Sequence, residues 1–135
     1  MQSGTLTVST SRQMEFVDIT DHIQQAVNSS GTASGICCLF NPHTTAGITI
    51  NEGCDPAVQH DILAVFKKIV PQSGQYPYLH AEGNSPAHIL TTITGSSLSL
   101  IINNNSLVLG TWQRIFFCEY DGPRSRKLHW KILQG

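Results

Sequence analysis

From Leu98 to Leu133 the chain reads as strand after strand: "LSLII", "LVLG", "WQRIFFCEY" and "KLHWKIL" follow one another, with turns at "NNN" and "DGPR". Runs of Ile, Leu, Phe and Trp bounded by Asn, Gly and Pro require strand partners. Earlier segments offer them. Alternation in "TLTVST" and "QMEFVDI" predicts two strands joined at Ser11 and Arg12 as an antiparallel hairpin. "GICCLF" and "AGITI" predict two more, separated by "NPHTT", where Pro42 blocks regular pairing.

Helices interrupt this pattern. Thr20 or Asp21 can cap one whose Ile23, Ala26 and Val27 share a face, with "NSSG" stopping it. Asp55 is an N-cap, Pro56 fills the first helical position, and Val58, Ile62, Val65, Phe66 and Ile69 recur at helical spacing until Pro71. Ser85 and Pro86 open a third, "PAHILTTIT", which stops at Gly95. Strands before, between and after two to three helices predict an α+β fold with a large mixed, mainly antiparallel sheet. A length of 135 residues is enough for one cored domain, expected over 1–135, and too short for a (β/α)₈ barrel.

Charged residues make up only 13% of the chain against 40% apolar, whereas an average soluble protein has roughly 25% charged residues. The surface is therefore covered by Ser, Thr, Asn and Gln, or partly hidden in an oligomer. A formal net charge of -1 and the lack of any Lys/Arg run disfavour nucleic acid as a partner. No segment has the length and apolarity of a membrane span, and "MQSGTLTVST" lacks a signal peptide's pattern, so a cytoplasmic protein without a membrane partner is expected. Four cysteines without a CxxC pair fit small buried residues in a reducing compartment; Cys54, beside a helix start, is the exception.

Position separates the six histidines. His22, His60 and His129 read as surface residues. His43 lies in the turn between two buried strands and His88 in the first turn of a helix, where the dipole disfavours the cation. Each is available to bind a metal or accept a proton; the alternative is a histidine hydrogen-bonded to nearby backbone. Glu52 and Asp55 cluster where a strand enters a helix, with capping the simplest role for Asp55. Asp61 lies at the edge of that helix's apolar face. Glu82 sits in the long loop "QSGQYPYLHAEGN", whose length suggests function. Gln113 and Glu119 share a strand face across Ile115 and Phe117, which resembles a pocket wall. Arg124 and Arg126 follow a tight turn and are either a fork for a carboxylate or phosphate or an exposed pair near Asp121. Glycine-rich phosphate loops, HExxH and GxSxG are absent.

The segments "HTTAGITINEGCDPAVQHDIL", "EGNSPAHILTTITGSSLSLII" and "LGTWQRIFFCEYDGPRSRKLHWKIL" together resemble the YjbQ family, small proteins often labelled secondary thiamine-phosphate synthases. The likeness covers most of the chain from His43 to Leu133. It implies an α+β homotrimer and one pocket, which can lie between subunits. Catalytic roles would fall to His43, Glu52, Asp61, Glu82, His88 and Glu119. Thr44, Thr45, Asn51, Asn84, Gln113, Arg124 and Arg126 would bind substrate or phosphate, with Asp55 nearby. A divalent metal, Mg or Zn, is expected, either on Glu52, Asp55 or Glu82 where charge departs, or on His43, His88 and Glu82 as a water-activating site, with His80 as a further candidate ligand; no organic cofactor is expected. The implied reaction joins a hydroxymethylpyrimidine diphosphate to a thiazole phosphate with loss of diphosphate. Two other readings remain: a metal-dependent hydrolase of a phosphate or carboxylic ester, and a trimeric, non-catalytic binding protein for a small anionic metabolite.

Overall fold

The strands divide between two sheets. The computed structural model describes residues 2–135. In chain order the elements are β1 (Gln2–Ser9), β2 (Glu15–Asp18), α1 (Thr20–Ser30), β3 (Gly35–Phe40), β4 (Ala46–Glu52), α2 (Pro56–Ile69), α3 (Ser85–Thr94), β5 (Ser97–Asn103), β6 (Ser106–Leu107), β7 (Gln113–Glu119) and β8 (Ser125–Gln134). One sheet has the order β1-β8-β3-β5-β6 and the other β2-β7-β4. Each described strand pair is antiparallel, so the α+β class with three helices is as expected.

The expected hairpin of the first two strands does not form. β1 pairs along its length with β8, from Gln2↔Ile132 to Ser9↔Ser125, while β2 pairs with β7. Alternation reports which face a residue takes, and it is the same whichever strand lies alongside. Between the two strands the chain crosses from one sheet to the other. The Thr10 N–H donates to the Arg124 carbonyl at 3.0 Å, and Gln13 accepts from the Gly122 N–H at 2.9 Å. A side chain at Gly122 would collide with the Arg12 carbonyl, so this close approach needs glycine. β3 and β4 likewise belong to different sheets, parted at Pro42.

Between the sheets lies the main core. The larger sheet contributes Val8, Cys37, Leu39, Leu100, Ile102, Leu128 and Ile132, the smaller one Ala46, Ile48, Ile115 and Phe117, and α1 adds Ile23 and Val27. On the far side of the smaller sheet, Phe116, Cys118 and Tyr120 pack with Ala87 and Leu90 of α3, Val70, and the half-buried Leu63 and Phe66 of α2. β7 is thus covered on both faces. That explains why residues 115–120 form an unbroken buried run.

Asp55 caps α2 as expected, accepting from the Ala57 N–H at 2.9 Å. For α1 the capping carboxylate is Asp18 instead, which accepts from both the Thr20 N–H and hydroxyl; Gly31, at φ 67°, ends that helix. The apolar stripe expected of α2 is only half used. Val65 and Ile69 remain 53% and 59% exposed, because the helix rests on the sheet through Leu63 and Phe66. The outer face of the larger sheet is also uncovered. By register Ile101, Ile36 and Leu133 lie side by side there, all exposed, with exposed Phe40 two rows on. Among the described residues no helix is long and apolar enough to cross a membrane.

Phe117 is fully buried between the sheets. Phe117→Ala should lower unfolding free energy by about 3–5 kcal/mol, as measured by urea denaturation.

Candidate functional site

One end of the two sheets is organised by a short polar turn. Asn41, 1% exposed, donates from Nδ2 to the Ala46 carbonyl at 2.6 Å and accepts the His43 N–H at 3.0 Å through Oδ1. This side-chain-closed turn sets the path of residues 41–46. It brings the His43 ring to β8, where the Lys127 N–H donates to Nε2 at 2.9 Å. Extending the β3–β8 register beyond Phe40↔His129 would put Pro42 opposite Lys127, but β3 has ended at Phe40. The imidazole therefore takes the acceptor place a longer strand would have filled. Burial, followed by the nearby positive charge of Arg126, holds the His43 pKa below the usual histidine value.

Beneath this turn lies a buried ion pair. Glu119 and Arg126 are 0% and 2% exposed, and two guanidinium nitrogens bond to the two carboxylate oxygens, Nε to Oε1 at 2.9 Å and Nη2 to Oε2. The Thr10 hydroxyl donates to Glu119 at 2.8 Å and the Asp121 N–H at 3.1 Å; Arg126 also donates to the Thr45 hydroxyl at 2.9 Å. Burial alone would raise the Glu119 pKa. The Arg126, Thr10 and Asp121 hydrogen bonds and the Arg126 charge outweigh it, and the carboxyl is held below its ordinary value.

Next along the chain, Asp121 accepts from the Asn84 amide at 3.0 Å and from Arg124 Nη2 at 3.1 Å, and its carbonyl takes Arg124 Nε at 2.9 Å. Arg124 Nη1 has no protein hydrogen bond among the described residues and its side chain is half exposed. These pieces enclose a concavity of about 340 Å³ lined by Pro42, His43, Thr44, Thr45, Glu82, Asn84, His88, Arg124 and Arg126. A second concavity of about 530 Å³ shares Pro42, His43, Thr44 and His88, and continues along α3 to Gly95. At the rim the His80 and His88 rings meet edge to face at 5.3 Å, and His80 Nε2 lies 3.7 Å from Glu82.

A family model described as UPF0047 protein YjbQ-like matches residues 4–135. This chain belongs to the YjbQ-like UPF0047 family. A Methanocaldococcus jannaschii UPF0047 protein is 45% identical over 93% of this chain and 90% of its own, and Bacillus subtilis YugU is 42% identical over 96% and 97%. Among solved structures, a YjbQ/UPF0047 protein from Clostridium acetobutylicum superposes with a TM-score of 0.92 at 50% identity, covering 96% of this chain and 98% of that one. A Sulfolobus solfataricus YbjQ-like protein described as of unknown function gives 0.92 at 38% identity, covering 99% and 97%. Membership thus carries the fold, while the family's function is uncharacterised.

The residues expected in one pocket fall into two groups in this YjbQ-like chain. His43, Thr44, Thr45, Glu82, Asn84, His88, Arg124 and Arg126 do line one concavity. Asn51, Glu52, Asp55, Asp61 and Gln113 do not. Glu52 pairs with Gln113 at the opposite end of β4 and β7 from His43, roughly 20 Å away at strand rise. There Glu52 accepts the Asp55 N–H and Gln113 accepts the Gly110 N–H, while Asp61 is exposed on α2 beside His60. Gln113 and Glu119 share face parity but sit at opposite ends of β7, one exposed and the other sealed, so no pocket wall joins them.

Glu119 and Arg126 also change role in the YjbQ-like site. The arginine fork is filled by a protein carboxylate, and the acid has no lone pair to spare for catalysis. Among the described residues no three His, Cys, Asp or Glu side chains converge to hold a metal ion, and His43 Nε2 is already occupied, so the expected His43–His88–Glu82 set is not assembled. Asn41 and Thr10, which position the site, are not singled out by the sequence, the Asn-Pro dipeptide being the available signal for Asn41; Asp121 is the ion-pair partner that the alternative reading of the arginines names, and Arg124 does pair with it at 3.1 Å.

Arg126→Met should cost about 3–5 kcal/mol by leaving Glu119 buried and unpaired. Because the folded-state pKa of Glu119 is depressed, its contribution is complete above the ordinary glutamate value of about 4.3 and is lost as pH falls through the folded value. Acid unfolding curves for the parent and Glu119→Gln should therefore converge as pH drops below that value.

Proposed function

We propose that the concavity between His43 and Arg124 binds the phosphate or diphosphate of a small metabolite, and that the protein is a small-molecule enzyme of the thiamine-phosphate synthase type. The observation that supports this reading is Arg124. Asp121 holds its guanidinium at the pocket wall with Nη1 unspent, across from the Thr44 backbone turn and beside the first turn of α3, whose dipole favours an anion.

In that reaction the thiazole ring nitrogen attacks the exocyclic methylene carbon of the pyrimidine. A C–N bond forms, the C–O bond to diphosphate breaks, and the electron pair leaves on diphosphate. No proton needs to move at the reacting carbon. The demand on the protein is to orient two ligands and stabilise the departing charge, which cationic and hydrogen-bond-donating groups meet without a free carboxylate base. Purified protein supplied with both substrates and Mg²⁺ should form thiamine phosphate, and Arg124→Ala should lower kcat/KM by about 10²-fold. No product above background overturns the proposal.

A divalent cation, Mg or Zn, remains part of this reading, although no triad is assembled within one subunit and no step is assigned to it. The proximity of His80, Glu82 and His88 favours a second reading, a metal-dependent hydrolase. Metal retained through purification without a His-tag, with hydrolysis of a phosphate or carboxylic ester abolished by EDTA, would select it. Stabilisation by anions without turnover would instead indicate a binding protein.

We also propose a cytoplasmic homotrimer. The uncovered Ile36–Ile101–Leu133 row and the exposed Val65 and Ile69 of α2 are apolar surfaces that a second copy would bury. Light scattering should give three times the 14.8 kDa subunit mass; a monomer at micromolar concentration overturns it.

A further inference from the structure

His43 combines two features that its expected roles cannot share. Its Nε2 lone pair accepts the Lys127 N–H at 2.9 Å, and its ring lines both concavities. A neutral imidazole carries one N–H and one lone pair, so an acceptor at Nε2 puts the hydrogen on Nδ1. We infer that His43 is a neutral hydrogen-bond donor that presents Nδ1–H to an anionic oxygen of the ligand, and is neither a metal ligand nor a proton-accepting base. The inference rests on the reading of this pocket as the anion site.

The surrounding structure holds the ring in that state. Asn41 fixes the His43 backbone through its N–H and carbonyl, and the Phe117 ring meets the imidazole edge to face at 6.5 Å. Nδ1 has no protein partner among the described residues, yet it is not sealed from solvent, since the one buried unpartnered side-chain atom found is Asn84 Oδ1. Rotating the ring to offer Nε2 to a metal would strip Lys127 N–H of its acceptor, and protonating Nε2 would set two donors against each other. Of the charged groups facing the ring, Arg126 and Arg124 oppose a second positive charge; Glu119 favours it but is spent on Arg126. Glu82 and His88 complete the wall. Burial acts in the same direction as the arginines.

The tautomer is directly observable. In ¹⁵N-labelled wild-type protein, the His43 ring is assigned by scalar coupling across the hydrogen bond from the Lys127 amide nitrogen to Nε2. The expected result at about pH 8 is a proton on Nδ1 and none on Nε2, unmoved by Zn²⁺. Inorganic pyrophosphate should then shift the Nδ1–H resonance downfield. As a functional readout, His43→Gln, whose amide can accept from Lys127 and still donate, should keep kcat/KM within about 10-fold, while His43→Ala should lose about 10²-fold. An Nε2–H tautomer, a Zn²⁺-induced shift of a His43 nitrogen, or pyrophosphate shifting the His88 signals but not His43 overturns the inference. If pyrophosphate moves no pocket signal while the Nδ1–H tautomer is present, the anion-site reading fails, and the exclusion of His43 as a metal ligand stands supported.

Discussion

The buried pair of Glu119 and Arg126 joins the last residue of β7 to the start of β8, and with them the two sheets. Taking both charges out of water is costly, and such a pair is tolerated only when further hydrogen bonds help to satisfy it. Here Thr10 and the Asp121 backbone donate to Glu119 and Thr45 accepts from Arg126 Nη2, while Arg126 Nη1 has no protein partner among the described residues. The pair contributes less as a source of stability than as a fixed point. Thr10 also accepts the Arg124 N–H, so the same cluster sets the turn from Asp121 to Arg124.

The pocket inherits its geometry from that point. Asp121, anchored through its N–H to Glu119, places its carboxylate between Asn84 and Arg124 and so ties the start of α3 to the β7–β8 turn. On the other wall, Arg126 bonds to Thr45, which lies between His43 and Ala46, the two residues that Asn41 bonds. His43 then closes the gap left where β3 stops short of Lys127. Donors held this way do not need to reorganise when charge develops on a ligand, the condition under which electrostatic stabilisation is most effective.

Some of this is legible in the sequence. The Asn-Pro turn, the strand on either side of it and the helix opened by Ser85 and Pro86 are local features, and they place His43 and His88 outside the core. The alternative of a histidine bonded to nearby backbone describes His43 in part: the bond is to backbone, but to Lys127, 84 residues on. Glu52, Asn51 and Gln113 were grouped with the pocket because motif resemblance records which residues recur, not which end of a strand they occupy. The β1–β2 hairpin was misread for a related reason. Val8 and Phe16 alternate correctly for strands, and alternation does not name a partner.

What the sequence by itself determined is local: the periodicity of each strand and helix, the cap at Asp55, and the turn at Asn41-Pro42. These depend on backbone preferences and side-chain spacing within a few residues. Tertiary structure alone decided that Arg126 would spend Nε and Nη2 on Glu119, that Arg124 would keep a nitrogen free, and that the Lys127 N–H would consume the His43 lone pair. Each outcome depends on which buried polar group finds a partner across sheets. That accounting is settled only when distant strands are brought to within hydrogen-bond reach.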